Sequence, residues 1–118
     1  MITIYKRFRF SAAHRLPMTH VNHKCHALHG HNFVVNLTFK GPIAADGFLI
    51  DFGDVSKAWA PIDAVLDHKY LNDIPGLENP TSEVIAMWVW ERMVAKIPCL
   101  VAVEVKETDD SGAIYEGD

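Results

Sequence analysis

His23-Lys24-Cys25-His26-Ala27-Leu28-His29-Gly30-His31-Asn32-Phe33 gathers four of the seven histidines and one of the two cysteines, then passes directly into a strand. From Phe33 onward, apolar Phe33, Val35, Leu37 and Phe39 alternate with Asn32, Asn36, Thr38 and Lys40. A period of two marks a strand buried on one face. Carried backward, the apolar face reaches His31 and then His29. Two imidazoles then point the same way at the rim of a buried surface, a common beginning of a metal site. Satisfaction as ordinary core histidines suits a lone histidine better than a His-Gly-His pair beside a cysteine.

Residues 2–14 alternate in the same way. Ile2, Ile4, Phe8, Phe10 and Ala12 share a face interrupted only by Lys6, while Thr3, Tyr5, Arg7, Arg9 and Ser11 share the other. The next position on the apolar face is His14. Strands adjacent in sequence usually pair, and pairing of 2–14 with 31–41 brings His14 toward His29 and His31. Three imidazoles with no fourth protein ligand describe catalytic zinc, which keeps one position open. With Cys25 as a fourth ligand the same set becomes a closed, structural site, and both readings stand at this point. Residues 15–28 form a loop too long and too rich in ligating side chains to be a mere connection. His20, His23 and His26 follow no register and read as loop or surface residues.

At 118 residues and a formal charge of −4, the chain is predicted to be one domain, 1–118, with a core that needs no disulfide staples. It carries no basic cluster for nucleic acid and no run of about eighteen apolar residues for a membrane span. The N-terminus reads as a strand and not as a signal peptide. Two cysteines without CxxC spacing point to free thiols in a reducing compartment, so cytoplasm is the expected location.

Further along, Gly41-Pro42 ends the second strand and Asp46-Gly47 marks a turn. Asp51 to Asp54 offers a helix cap, and apolar spacing predicts a helix over about 54–66, kinked or split at Pro61. Asp67 and His68 close it. Asn79-Pro80-Thr81-Ser82-Glu83 opens a second helix, apolar around most of its girth, that runs to about Lys96. Residues 99–108 alternate again: Val101, Val103 and Val105 share a face, and Glu107 is next on it. A buried carboxylate is costly without donors, so Glu107 should face a donor-rich partner. Asp109 to Gly112 reads as a turn and 113–116 as the closing strand. Cys99 is an ordinary core or surface thiol. The order β-β-α-α-β-β predicts an α+β fold, a four-stranded antiparallel sheet with two helices on one face.

Five motifs in order, Phe10-Ser11-Ala12-Ala13-His14-Arg15-Leu16, Cys25-x3-His29-Gly30-His31, Leu66-Asp67-His68, Asn79-Pro80-Thr81-Ser82-Glu83 and Val105-Lys106-Glu107-Thr108, resemble the 6-pyruvoyltetrahydropterin synthase family. The likeness runs from about residue 4 to the C-terminus. It implies the tunnelling fold (T-fold), in which sheets of several subunits close into a barrel with sites between subunits. A homo-oligomer follows, a hexamer built as a dimer of trimers. The resemblance also implies zinc on His14, His29 and His31, Cys25 as general base, Asp67 and His68 as its proton-relay partners, and Glu107 as anchor of the pterin edge. Thr81 and Ser82 fall where further pterin contacts lie, and Arg15 and Lys24 are candidates for the triphosphate. Within the family, the short spacing from Cys25 to His29 is similar to the branch that forms 6-carboxy-5,6,7,8-tetrahydropterin in queuosine biosynthesis. That branch is a zinc-dependent lyase acting on 7,8-dihydroneopterin triphosphate. The pyruvoyl-forming activity on the same scaffold, and a non-catalytic zinc or pterin-binding module, are the alternatives.

Overall fold

β1 (Ile2–His14) and β2 (His29–Gly41) pair antiparallel without interruption, from Ile2 opposite Gly41 to His14 opposite His29, in a computed structural model that describes residues 1–118. β3 (Leu100–Thr108) adds to β2 and β4 (Ser111–Tyr115) to β3, so the strands lie in the sheet in chain order. Helices α1 (Phe52–Leu66) and α2 (Ser82–Lys96) pack on the face that the alternation marks as apolar. Phe33, Val35, Leu37 and Phe39 of β2 are fully buried against Val55, Trp59, Ile62 and Leu66 of α1 and Ile85, Val89 and Met93 of α2. Phe10 and Phe33 sit directly opposite, their rings stacked with centroids 4.9 Å apart. Burial of each such side chain contributes about 1.5–3 kcal/mol, which locks the register and with it the positions of the histidines.

α1 starts at Phe52, two residues earlier than the spacing predicts, because Asp51 caps it by accepting from the Gly53 N–H at 2.7 Å. The split allowed for at Pro61 does not occur: one unbroken helix runs through it. Pro61 and Lys57, the residue whose carbonyl loses its helical donor, are both exposed, so solvent can serve that carbonyl.

β3 departs from strict alternation twice. Leu100 lies opposite Phe39 and Ala102 opposite Thr38, so Val101 is an extra residue. Leu100, Val103 and Val105 are buried and Val101 is only partly so, which corrects its expected place on the inner face. Farther on, Val105 lies opposite Ala113 but Thr108 opposite Ser111, so Lys106 and Glu107 together face Gly112. A Cβ on Gly112 would stand 2.9 Å from the Val105 carbonyl oxygen. Only glycine admits the close approach that this bulge needs. β4 accordingly starts at Ser111, two residues before its expected start, after a turn at Asp109 and Asp110.

After α1 the chain runs along the free edge of β1. The His68 N–H donates to the Ser11 carbonyl at 2.6 Å, the Ala13 N–H to the Lys69 carbonyl at 3.0 Å, and Tyr70 bridges to Ala13. This covers the edge beside the histidines. No helix is long and apolar enough to cross a membrane.

Candidate active site

His14, His29 and His31 come together because β1 and β2 place His14 opposite His29 and Ala12 opposite His31. The three rings meet edge to face with centroids 4.6, 5.2 and 4.9 Å apart. One nitrogen of each lies within 4.8 Å of the other two. The Nδ1–H of His14 donates to the Pro80 carbonyl at 2.8 Å and that of His29 to the Ala27 carbonyl at 2.7 Å. Those bonds fix both tautomers and leave lone pairs on the two Nε2 atoms, which face one another at 3.0 Å. Two lone pairs at that distance repel unless a proton or a cation lies between them. His31 Nε2 is buried without a hydrogen-bond partner. The donor set therefore fits a tetrahedral metal ion such as zinc, with backbone carbonyls orienting two of its ligands. Burial lowers the pKa of His14, only partly opposed by the Pro80 bond and then the Glu107 charge, and lowers that of His31, only partly opposed by Glu107. Both rings are thus neutral near pH 7, the ligating form.

Glu107 is beside this cluster. Oε1 accepts from the Ser82 hydroxyl at 3.0 Å, and Oε2 is 3.4 Å from His31 Nε2, too far for a hydrogen bond. The bulge at Lys106–Glu107 holds the carboxylate half-buried, with its side chain 23% exposed and one oxygen open to a further donor. The Thr81 hydroxyl oxygen caps α2 by accepting from the Val84 N–H at 3.1 Å.

Cys25 lies on a single 3-10 turn, Lys24–His26, and lines a cavity of about 570 Å³ with Lys24, His31, Glu107 and residues 108–111. Its thiol is not part of the cluster of three imidazole nitrogens. Arg15, a candidate for the triphosphate, instead directs its guanidinium to His26, and Lys24 remains exposed at the cavity.

Asp67 and His68 form a pair elsewhere. Asp67 Oδ1 accepts from the Ser11 N–H at 2.9 Å and Oδ2 binds His68 Nδ1 at 2.8 Å. The Ser11 bond first, and His68 second, hold the Asp67 carboxyl below the usual carboxylate range. His68 has a φ of 60°, a left-handed conformation uncommon outside glycine. The flanking bonds to Ser11 and Asp67 support it, and such strain collects at functional sites. Its ring is 80% exposed, in a cavity of about 560 Å³ whose lining includes Ser11, Ala12, Ala13, Gly30, His31 and Asn32, so His31 borders this cavity as well as that of Cys25. Within one chain, then, Cys25 and Glu107 line one cavity and His68 another, and His31 is the residue the two share.

The backbone carbonyls of Pro80 and Ala27, the Ser11 N–H and the Arg15–His26 contact all escape a reading of side-chain pattern. Backbone groups carry no residue signature, and Arg15 and His26 follow no period that would join them.

The model of the 6-pyruvoyl tetrahydropterin synthase family matches residues 3–118. The 6-carboxy-5,6,7,8-tetrahydropterin synthase of Synechocystis sp. is 43% identical over an alignment covering 98% of this chain and 93% of its own. The 6-pyruvoyl tetrahydrobiopterin synthase of Homo sapiens is 32% identical, covering 98% and 91%. Among solved structures, the 6-pyruvoyl tetrahydropterin synthase of Caenorhabditis elegans superposes with a TM-score of 0.91 at 25% identity, over 99% of this chain and 96% of that one.

Proposed function

The chain belongs to the 6-pyruvoyl tetrahydropterin synthase family, and from that premise we propose that it is a zinc-dependent lyase of queuosine biosynthesis. It converts 7,8-dihydroneopterin triphosphate and one water to 6-carboxy-5,6,7,8-tetrahydropterin, with release of acetaldehyde and triphosphate. The observation that carries this reading is the convergence of three imidazole nitrogens within 4.8 Å of one another, beside a half-buried carboxylate and a cysteine-lined cavity. The 43% identity to the Synechocystis enzyme favours the carboxy-forming branch over the pyruvoyl-forming one.

His14, His29 and His31 would hold the zinc, which as a Lewis acid makes hydroxyls beside it more acidic. Glu107 accepts two N–H bonds from the aminopyrimidinone edge of the pterin, a bidentate charge-assisted pair, while Ser82 holds its Oε1 in place. Cys25 removes a proton from the substrate side chain as general base. His68, oriented by Asp67, returns a proton to the opposite side. The side chain then loses triphosphate and undergoes carbon–carbon cleavage.

Cys25 and His68 line separate cavities that share only His31, and in this reading a second copy of the chain completes the site. The β4 edge and the part of the β1 edge before Ser11 supply the means of association, and a hexamer, a dimer of trimers, is the expected assembly in the cytoplasm. The alternative of a non-catalytic module closed by Cys25 suits the geometry less well, since the thiol stands apart from the histidine cluster. Incubating zinc-loaded protein with 7,8-dihydroneopterin triphosphate tests the proposal. Formation of 6-carboxytetrahydropterin with stoichiometric acetaldehyde supports it. Formation of 6-pyruvoyltetrahydropterin, or no turnover, overturns it.

A further inference from the structure

Arg15 follows His14 in the chain, and two of its guanidinium nitrogens are engaged by one residue. Nε donates to the His26 carbonyl and Nη2 to His26 Nε2, each at 3.2 Å. The base of this fork is fixed by Asn72. The Asn72 side-chain oxygen accepts from the Arg15 N–H at 3.0 Å, and its nitrogen donates to the Arg15 carbonyl at 2.8 Å. An arginine can only donate, so His26 Nε2 accepts and the ring proton sits on Nδ1. That Nδ1 is buried with no partner. An imidazole serving only to fill space would be better replaced there by an apolar side chain.

Cys25 lies immediately before the gripped residue. A three-residue 3-10 turn has no stability of its own, so its anchors decide where the thiol stands. They are three. The Cys25 N–H donates to His23 Nδ1 at 3.0 Å, the Cys25 carbonyl accepts from the Leu16 N–H at 2.8 Å, and Arg15 holds His26 through both carbonyl and ring.

We infer that Arg15 and His26 are positioning residues, a clasp that sets the Cys25 thiol within the cavity it shares with His31 and Glu107. This rests on Cys25 being the base of the proposed lyase. It also assigns Arg15 a task other than binding the triphosphate.

The test uses zinc-loaded full-length protein and three variants. Arg15→Lys keeps the charge but loses the fork. His26→Leu removes the acceptor, and His26→Gln restores one through its Oε1. Each is assayed for kcat, KM for 7,8-dihydroneopterin triphosphate, zinc content, and the rate of iodoacetamide alkylation at Cys25 by peptide mass analysis, with Cys99 as internal reference. Arg15→Lys and His26→Leu should lower kcat by about 10- to 100-fold, as expected for a misplaced catalytic group. Their KM should stay within about 2-fold, since uniform substrate binding is untouched. Their Cys25 should alkylate faster while Cys99 and zinc content do not change. His26→Gln should recover kcat to within about 3-fold of wild type, because the hydrogen bond is remade. A raised KM with unaltered alkylation would make Arg15 a phosphate ligand and overturn the inference. Zinc loss or faster Cys99 labelling would show a general structural role and also overturn it. If wild-type protein has no turnover, the lyase reading fails separately. The alkylation contrast then decides the clasp: faster Cys25 labelling in Arg15→Lys and His26→Leu but not in His26→Gln supports it, and equal rates overturn it.

Discussion

Replacing Glu107 by glutamine tests the pterin anchor with almost no change of shape. In the free protein the carboxylate accepts from Ser82 Oγ at 3.0 Å and stands 3.4 Å from His31 Nε2. Burial keeps His31 neutral near pH 7, so the second contact is no ion pair under assay conditions. The glutamine Oε1 still accepts from Ser82. Stability of the free protein should therefore change by no more than about 0.5 kcal/mol, the usual range away from special features. Zinc content should hold, because no imidazole nitrogen is removed. The complex behaves differently. Two pterin N–H donors that met two carboxylate oxygens now meet one oxygen and one donor amide. Breaking one side of a buried charged hydrogen bond costs about 2–5 kcal/mol, equivalent to about 30-fold to several-thousand-fold in Kd. Calorimetric titration of zinc-loaded protein with 7,8-dihydroneopterin, which has no triphosphate to eliminate, measures this directly. A Kd within about 3-fold of wild type, less than 1 kcal/mol, would refute the assignment. Loss of zinc would refute it as well, and make Glu107 part of the metal shell.

Alanine at His14, His29 or His31 should strip most of the zinc after dialysis, and a variant with unchanged metal content is not missing a ligand. His14→Ala should also destabilise the fold by about 1–3 kcal/mol, because it leaves the Pro80 carbonyl without its donor. Cys25→Ala should keep zinc and pterin binding while turnover falls at least ~100-fold, and full activity would end its role as base. Asp67 adds stability that is complete above the unfolded carboxyl pKa and is lost as pH falls through its lower folded value. Thermal melts of Asp67→Asn should therefore show a shallower acid dependence below about pH 4, and an unaltered slope would remove the Ser11 and His68 contacts as its cause. Mixing Cys25→Ala with His68→Ala subunits should regenerate intact sites in about a quarter of positions if each site draws on two chains. No recovery after verified subunit exchange, or a stable active monomer on sedimentation, counts against the shared site.

Local periodicity was enough to read much of this protein. Alternation over Ile2–His14 and Phe33–Phe39 identifies the buried face of each strand, because side-chain direction has a period of two whatever the strand packs against. Since pairing adjacent strands puts their apolar faces together, the meeting of His14, His29 and His31 follows from register alone. Asp51, Thr81 and the Asp46–Gly47 turn likewise act through neighbours a few residues away. The tertiary structure decided what depends on several elements at once. The bulges at Val101 and Lys106–Glu107 settle how β3 fits between β2 and β4, and the second one aims Glu107 at Ser82 and His31. Pro61 stays within α1 because that side of the helix meets solvent, which no local pattern encodes. The strained backbone at His68 is held by a bond to Ser11, far away in sequence. Arg15 grips His26 while Asn72, 57 positions along the chain, holds its backbone. Periodicity reports which way a side chain points, whereas the partner it finds there is set by strands, loops and carbonyls that only folding brings within reach.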